Sequence, residues 1–138
     1  MTDTSRTLVL LKPDAVRRGL LGAILARFEA RELSIAAMDL RHIDAAMADR
    51  HYAEHVDQPW YPGLREYITS GPLVALVLEG PAAVDVVRLM VGATNAAQAA
   101  PGTIRGDLAL SNRENLVHAS DSEASAAREM SLWFPNLS

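Results

Sequence analysis

Thr7 to Leu11 form an almost wholly apolar run, closed by Lys12 and stopped by Pro13. A run this short, ended by a residue that cannot donate to a ladder, reads as a buried strand. A second such run, Leu73 to Leu78, follows the turn Ser70-Gly71-Pro72 and reads the same way. Ser34 to Ile43 alternates over part of its length, with Met38 and Leu40 pointing one way and Asp39 and Arg41 the other. That pattern predicts a strand with one covered face. Leu116 to His118 is a fourth, short strand candidate.

Between these strands the apolar period changes to that of helices. Leu20, Leu21, Ile24, Leu25 and Phe28 predict an amphipathic helix of about three turns. Asp44 can cap a helix running to about Glu54, and Pro59 and Pro62-Gly63 interrupt before a short helical piece over Leu64 to Thr69. Pro81 sits where the first turn of a further helix would begin, with Val84, Val87 and Val91 as its apolar stripe. From Gly92 to Asp107 the pattern dissolves into a long loop. Ser120 and Glu123 match a capping box for a last helix reaching about Phe134, with Ala127, Met130 and Trp133 or Phe134 facing the core.

The order contains β-α-β-β-α-β, a ferredoxin-like core. It predicts an α+β fold, a four-stranded antiparallel sheet with helices on one face, plus a helical hairpin and a long loop. The 138 residues suit one domain spanning 1–138, and 49% hydrophobic residues suffice for its core. A net charge of −4 argues against a sequence-independent grip on nucleic acid, but not against one small anion in a cationic pocket. No apolar run approaches the roughly 18 residues of a membrane span. The polar start, Met1 to Arg6, lacks a signal-like apolar stretch. The chain has no cysteine, which fits a reducing compartment. The expected location is cytoplasmic.

Several polar residues sit where polarity is costly. His118 ends an apolar strand beside a helix start, where backbone N–H groups favour negative charge. A histidine there can act as a nucleophile toward a phosphoryl group, although locally it reads first as a core or edge histidine. Lys12 ends an apolar strand, and its charge needs solvent, a carboxylate or an anion. Arg88 and Arg105 can clamp phosphate oxygens or form surface ion pairs. Gly102 and Gly106 flank Arg105 and allow close backbone approach to a ligand. Thr94 and Asn95 offer polar groups in the same loop. Trp60 and Tyr61 lie in a connection and either stack on a base or staple the hairpin to the sheet. His51 and His55, four apart, could share a helix face, but HExxH is absent and no third metal ligand has suitable spacing. With His42 they read as surface or capping residues. Neither GxxxxGK[ST] nor GxGxxG occurs.

In order along the chain, the following segments resemble nucleoside diphosphate kinases: Thr7-Leu-Val-Leu-Leu-Lys-Pro-Asp14, His51-Tyr-Ala-Glu-His55, Ser70-Gly-Pro72, Gly92-Ala-Thr-Asn95, Pro101-Gly-Thr-Ile-Arg-Gly-Asp107 and Asn115-Leu-Val-His-Ala-Ser-Asp-Ser122. The resemblance implies ping-pong transfer of a γ-phosphate from a nucleoside triphosphate, with ATP as donor, to a nucleoside diphosphate through a phosphohistidine on His118. Glu129 would orient the imidazole and Ser120 would hydrogen-bond near it. Lys12, Tyr52, Arg88, Thr94 and Arg105 match phosphate-binding positions, and Asn115 with Lys12 would contact the ribose. Trp60 matches the ring that stacks on the base, and Gly92 to Asp107 becomes the nucleotide-binding loop. Mg²⁺ would be the cofactor, held by the nucleotide phosphates and not directly by side chains, with water-mediated contacts to Glu54 and Asp121. The family resemblance also implies a homo-oligomer, a hexamer ahead of a tetramer. Ala119 stands where the family usually carries glycine, a place where an added Cβ could crowd His118 or disfavour a positive φ. Ala15, Ala96, Gln58 and Leu108 also depart from the family's usual residues, and Trp60 replaces a commoner phenylalanine.

Overall fold

A computed structural model describes residues 4–137, so Met1–Asp3 of the polar N-terminal segment and Ser138 lie outside the described residues. The elements are β1 (Thr4–Leu11), α1 (Pro13–Arg17), α2 (Leu21–Ala30), β2 (Ser34–Arg41), α3 (Ala45–His51), α4 (Tyr61–Ile68), β3 (Leu73–Pro81), α5 (Ala83–Val91), α6 (Ile104–Leu108), β4 (Val117–Ala119) and α7 (Glu123–Trp133). A 3-10 turn, Ala96–Gln98, lies in the loop before α6.

The four strands form one antiparallel sheet in the order β2-β3-β1-β4, the ferredoxin-like arrangement. Its helices cover both faces, not the single face that the element order suggested. The cause lies in β1 and β3, where Leu8 to Leu11 and Leu73 to Leu78 are buried throughout. Successive side chains point to opposite faces, so a continuous apolar run needs cover on both. Val9, Leu11, Val74, Leu76 and Leu78 pack with Ile24 and Phe28 of α2 and Val87 and Val91 of α5. Leu8, Leu10, Ala75 and Val77 pack on the other face with Ala48, Tyr61, Ile68 and Trp133, from α3, α4 and α7.

Other local readings shift for identifiable reasons. β1 already begins at Thr4, inside the segment read as a polar terminus. Met38 and Leu40 do point one way, but they are exposed on the outer strand β2. Pro81 ends β3, and Ala82 in the left-handed region (φ 50°) starts α5. Pro62 sits within the first turn of α4, where its missing N–H costs nothing, so the helix begins at Tyr61. Ser122, not Ser120, caps α7 by accepting from Ser125 N at 3.0 Å. Along α7 the buried positions are Ala126, Glu129 and Trp133, whereas Ala127 is exposed.

The turn into β4 is held by buried polar groups. Leu116 has φ 73°, a left-handed conformation unusual for a leucine. Its N–H donates to Asp14 Oδ2 at 3.1 Å, and its carbonyl accepts from Lys12 N at 2.8 Å. Asp14 Oδ1 accepts from the Tyr67 hydroxyl. Asp14→Ala should therefore cost about 2–3 kcal/mol, by leaving the Leu116 N–H and the Tyr67 hydroxyl unpaired, and Tyr67→Phe about 1 kcal/mol. Urea unfolding of both variants checks this. Equal stability of Asp14→Ala and wild type would show that the turn does not depend on the carboxylate.

Candidate active site

Strand register decides which side chains meet at the site. His118 pairs with Leu10 across the β1–β4 ladder and so projects toward the face covered by α3, α4 and α7. Lys12, two residues beyond Leu10 at the end of β1, follows the same alternation. On α7, Ala126, Glu129 and Trp133 share one buried side, which carries the Glu129 carboxylate under the strand.

His118 Nε2 donates to Glu129 Oε1 at 2.9 Å. The donor must be Nε2, because an ionised carboxylate only accepts. In the neutral ring this leaves the lone pair on Nδ1, which has no hydrogen bond among the described residues. Ser120, fully buried, donates to the same Glu129 oxygen at 2.8 Å. Its capping role is thus replaced by one in this triad of side chains.

A cavity of about 620 Å³ opens beside His118. Every residue to which the family resemblance gave a role lines it except Ser120, which reaches it through Glu129, whereas Tyr61, Asn95, Gly102 and Gly106 do not line it. Lys12 is buried and donates from Nζ to Asn115 Oδ1 at 2.8 Å, while Asn115 Nδ2 donates to Thr94 O at 2.8 Å. Arg105 is also buried, and donates to the carbonyls of Asn115 at 3.3 Å and Gly92 at 3.0 Å and to that of Val117. Three of its five donors therefore tie loops together, and two are left for the cavity. Arg88 is exposed, with Nη1 3.5 Å from Ala119 O. Trp60 is exposed at 47% and packs its ring 5.3 Å from that of His55. Tyr61 instead is buried and donates to Asp49 Oδ1 at 2.7 Å, so it alone of the two aromatics staples the hairpin. Glu54 and Asp121 place carboxylates on the wall.

Electrostatics follow from burial. Lys12 is pushed down to about 8, first by burial and then by Arg105, with Asp14 opposing. Arg105 is lowered to about 10 by burial and by Arg88. Burial raises the Tyr52 phenol well above its ordinary value, which keeps its proton on the ring. Asp121 is lowered, chiefly by a hydrogen bond with Ser125, so its carboxyl is ionised at neutral pH.

His51 departs furthest from its reading as a surface or capping residue. It is buried, and its Nδ1 accepts from Trp133 Nε1 at 3.0 Å. Its ring stands edge-on to that of His118 at 4.6 Å between centroids. Burial, then the nearby His118, hold it well below the ordinary histidine range, so it is neutral. His51 and His55 do not share a helix face, because α3 ends at His51. His42 is exposed and meets Thr69 O at 2.8 Å. One atom each of His51, His118 and Glu129 lie within 4.8 Å of one another, a grouping of metal-ligand types missed by sequence spacing. Arg128, also missed, donates to Arg50 O at 3.1 Å and His51 O at 2.8 Å, closing the end of α3.

Two glycine readings also change. A Cβ on Gly106 would lie 2.0 Å from Ala100 O, so that glycine serves the close packing of its own loop. Ala119 lies in β4 opposite Val9 and is not among the residues with positive φ, so its Cβ meets no backbone objection.

The fold and cavity define an α+β protein with a cation-lined pocket built around a carboxylate-held histidine. A family model described as nucleoside diphosphate kinase matches residues 5–138. A nucleoside diphosphate kinase from a Nocardioides species is 70% identical over 132 residues, covering 96% of this chain and 98% of that one. One from Cutibacterium acnes is 58% identical and covers 99% of each chain. Among solved structures, a halophilic nucleoside diphosphate kinase from Halobacterium salinarum in complex with CDP superposes with a TM-score of 0.95 at 46% identity, covering 97% of this chain and 90% of that one. The chain belongs to the nucleoside diphosphate kinase family, and is an enzyme of the nucleotide-binding transferase class.

The depressed Lys12 makes a signed prediction. From about 8 up to 10.5 the unfolded chain binds more protons at this site than the folded one, so this group's contribution makes stability rise with pH across that window. Below it the folded state carries the cost of a buried charge. Lys12→Met should therefore stabilise the ligand-free protein at pH 7, by about 1–3 kcal/mol, and flatten the rise between about 8 and 10.5. It should also weaken nucleotide binding. Urea unfolding at stepped pH tests the first part, and identical pH slopes for the two proteins would refute it.

Proposed function

We propose that residues 1–138 form a single nucleoside diphosphate kinase domain that transfers a γ-phosphate by a ping-pong route through His118. One observation carries the reading. The His118 proton is fixed on Nε2 by Glu129, which leaves Nδ1 as the nucleophilic atom at a cavity lined by Lys12, Arg88 and Arg105.

In the first half-reaction the Nδ1 lone pair attacks the γ-phosphorus of a nucleoside triphosphate, with ATP as donor. A P–N bond forms, the bridging P–O bond breaks, and its electron pair leaves on the departing diphosphate. The imidazole becomes cationic as it takes the phosphoryl group. Glu129, already bonded to Nε2–H, offsets that charge without reorganising. In the second half-reaction a terminal oxygen of a nucleoside diphosphate attacks the same phosphorus, the P–N bond breaks, and its electron pair returns to Nδ1. Little covalent work remains for the protein, so positioning and charge dominate.

Lys12 and Arg88, the two spare donors of Arg105, the Tyr52 hydroxyl and Thr94 would hold phosphate oxygens. Asn115 with Lys12 would meet the ribose, and Trp60 would stack on the base in a sequence-tolerant way. Ser120 keeps Glu129 aimed. The ionised Asp121 and the exposed Glu54 offer oxygen donors of the kind Mg²⁺ takes, and both suit contacts through water to a metal carried on the phosphates. Bound there, Mg²⁺ would neutralise phosphate charge.

The outer strand β2 exposes Met38 at 54% and Leu40 at 62%, which supports a homo-oligomer; the order of a hexamer ahead of a tetramer rests on the family resemblance alone. Among the described residues no helix is long and apolar enough to cross a membrane. The absence of cysteine and the net charge of −4 support a cytoplasmic enzyme without nucleic-acid specificity.

Incubation with triphosphate labelled at the γ-position, followed by nucleotide removal, should leave acid-labile label on the wild type and none on His118→Ala. Label of equal amount on both proteins would overturn the assignment. Ala119→Gly should not raise the rate, because β4 requires no positive φ there. A gain of tenfold or so would mean that the Ala119 Cβ crowds the ring.

A further inference from the structure

The first turn of α4 places Trp60 and Gly63 three residues apart, on one side of the helix start. The Arg113 guanidinium lies against Gly63. A Cβ built there would stand 2.7 Å from Nη1 and 2.8 Å from Nη2, so the glycine leaves the room that the guanidinium fills. Arg113 and Trp60 both line the cavity. The carboxylate next in sequence, Glu114, is engaged by Arg17 at 2.5 Å. Among the described residues the Arg113 side chain has no ion pair, hydrogen bond or ring contact. Its five donors are thus free on the wall that carries the exposed indole. Lys12 and Arg105 converge instead on Asn115.

On the nucleotide reading above, on which this inference rests, we propose that Arg113 reads the edge of the base stacked on Trp60. It selects bases that present a carbonyl oxygen over bases that present an amino group. Stacking on an indole does not discriminate, because every base has a π-face. Discrimination then falls to the edge. A guanidinium only donates, so it pairs with acceptors and leaves an amino group facing another donor. Guanine offers O6 and N7 together, which matches the guanidinium fork. Uracil offers O4. Adenine and cytosine present N6 and N4 amino groups at the corresponding places.

The test uses the enzyme after phosphorylation by ATP and removal of nucleotide. Loss of the phosphoryl group to GDP, UDP, ADP and CDP is followed over a range of concentrations, and kcat/KM ratios are compared within each protein. A loss of folded enzyme cancels in such ratios. The wild type should favour GDP over ADP, and UDP over CDP, by about fivefold, the worth of one net hydrogen bond. Arg113→Ala should bring both ratios toward one, and Arg113→Lys should retain part of the preference. Gly63→Ala, whose Cβ evicts the guanidinium, should shift the ratios in the direction of Arg113→Ala. Uptake of phosphate by the wild type with ratios unmoved in Arg113→Ala overturns the assignment of Arg113 alone. Failure of the wild type to take up phosphate overturns the phosphohistidine reading, and this proposal with it.

Discussion

The burial of β1 on both faces is the constraint from which the site follows. Leu8 to Leu11 are fully enclosed, so apolar cover has to come from two layers of helix. One layer, α2 and α5, completes a core in the ferredoxin-like manner. The other, α3, α4 and α7, brings Trp133, Tyr61 and Ile68 under the same strand. Because α7 is anchored by Trp133, Glu129 arrives one turn away at the level of His118. The pairing of Leu10 with His118 then turns the histidine toward that carboxylate. Pro13 ends the strand at the point where Lys12 emerges at the cavity. Hydrophobic burial thereby places three polar groups with little freedom to move.

Those groups carry an electrostatic cost. The chain is acidic overall, yet its cavity gathers Lys12, Arg88 and Arg105 in a partly enclosed space. Burial and the neighbouring guanidinium of Arg105 depress Lys12 to about 8, and burial and Arg88 depress Arg105 to about 10. Arg105 recovers part of this by donating to three carbonyls, and in doing so it joins the Gly92 loop to the approach to β4. The same guanidinium is therefore a structural tie and a source of potential. An anion drawn in among these cations would relieve their repulsion.

Apolar pattern made the sheet and most helices legible, because a strand without polar residues and a stripe of Val84, Val87 and Val91 each have few places to go. The site residues were legible as a set only through ordered resemblance. Taken singly, His118 and Lys12 read as ordinary polar residues at strand ends. What stayed hidden depended on partners distant in sequence. His51 looked like a surface histidine because its acceptor role is fulfilled by Trp133, 82 residues away. Ser120 resembled a cap because nothing local reveals that Glu129 takes its hydroxyl. Met38 and Leu40 alternate as if one face were covered, yet both are exposed on the outer strand, where pattern alone cannot tell a covered face from an open one. Arg113 carries no local signal, since only the fold lays it over Gly63.

The two histidines at the floor of the cavity show how neighbours divide one chemistry. Trp133 has an N–H and no acceptor, so it fixes the His51 lone pair on Nδ1 and its proton on Nε2. Glu129 has acceptors only, so it fixes the His118 proton on Nε2 and the lone pair on Nδ1. His51 thus spends its lone pair inside the core, and its burial keeps it from competing as a base. His118 keeps its lone pair free of protein partners. Of this pair only His118 combines a free ring nitrogen with a carboxylate able to offset positive charge as that nitrogen forms a bond. The division of roles thus resides in Trp133, Glu129 and the depth at which each ring is buried as much as in the histidines themselves.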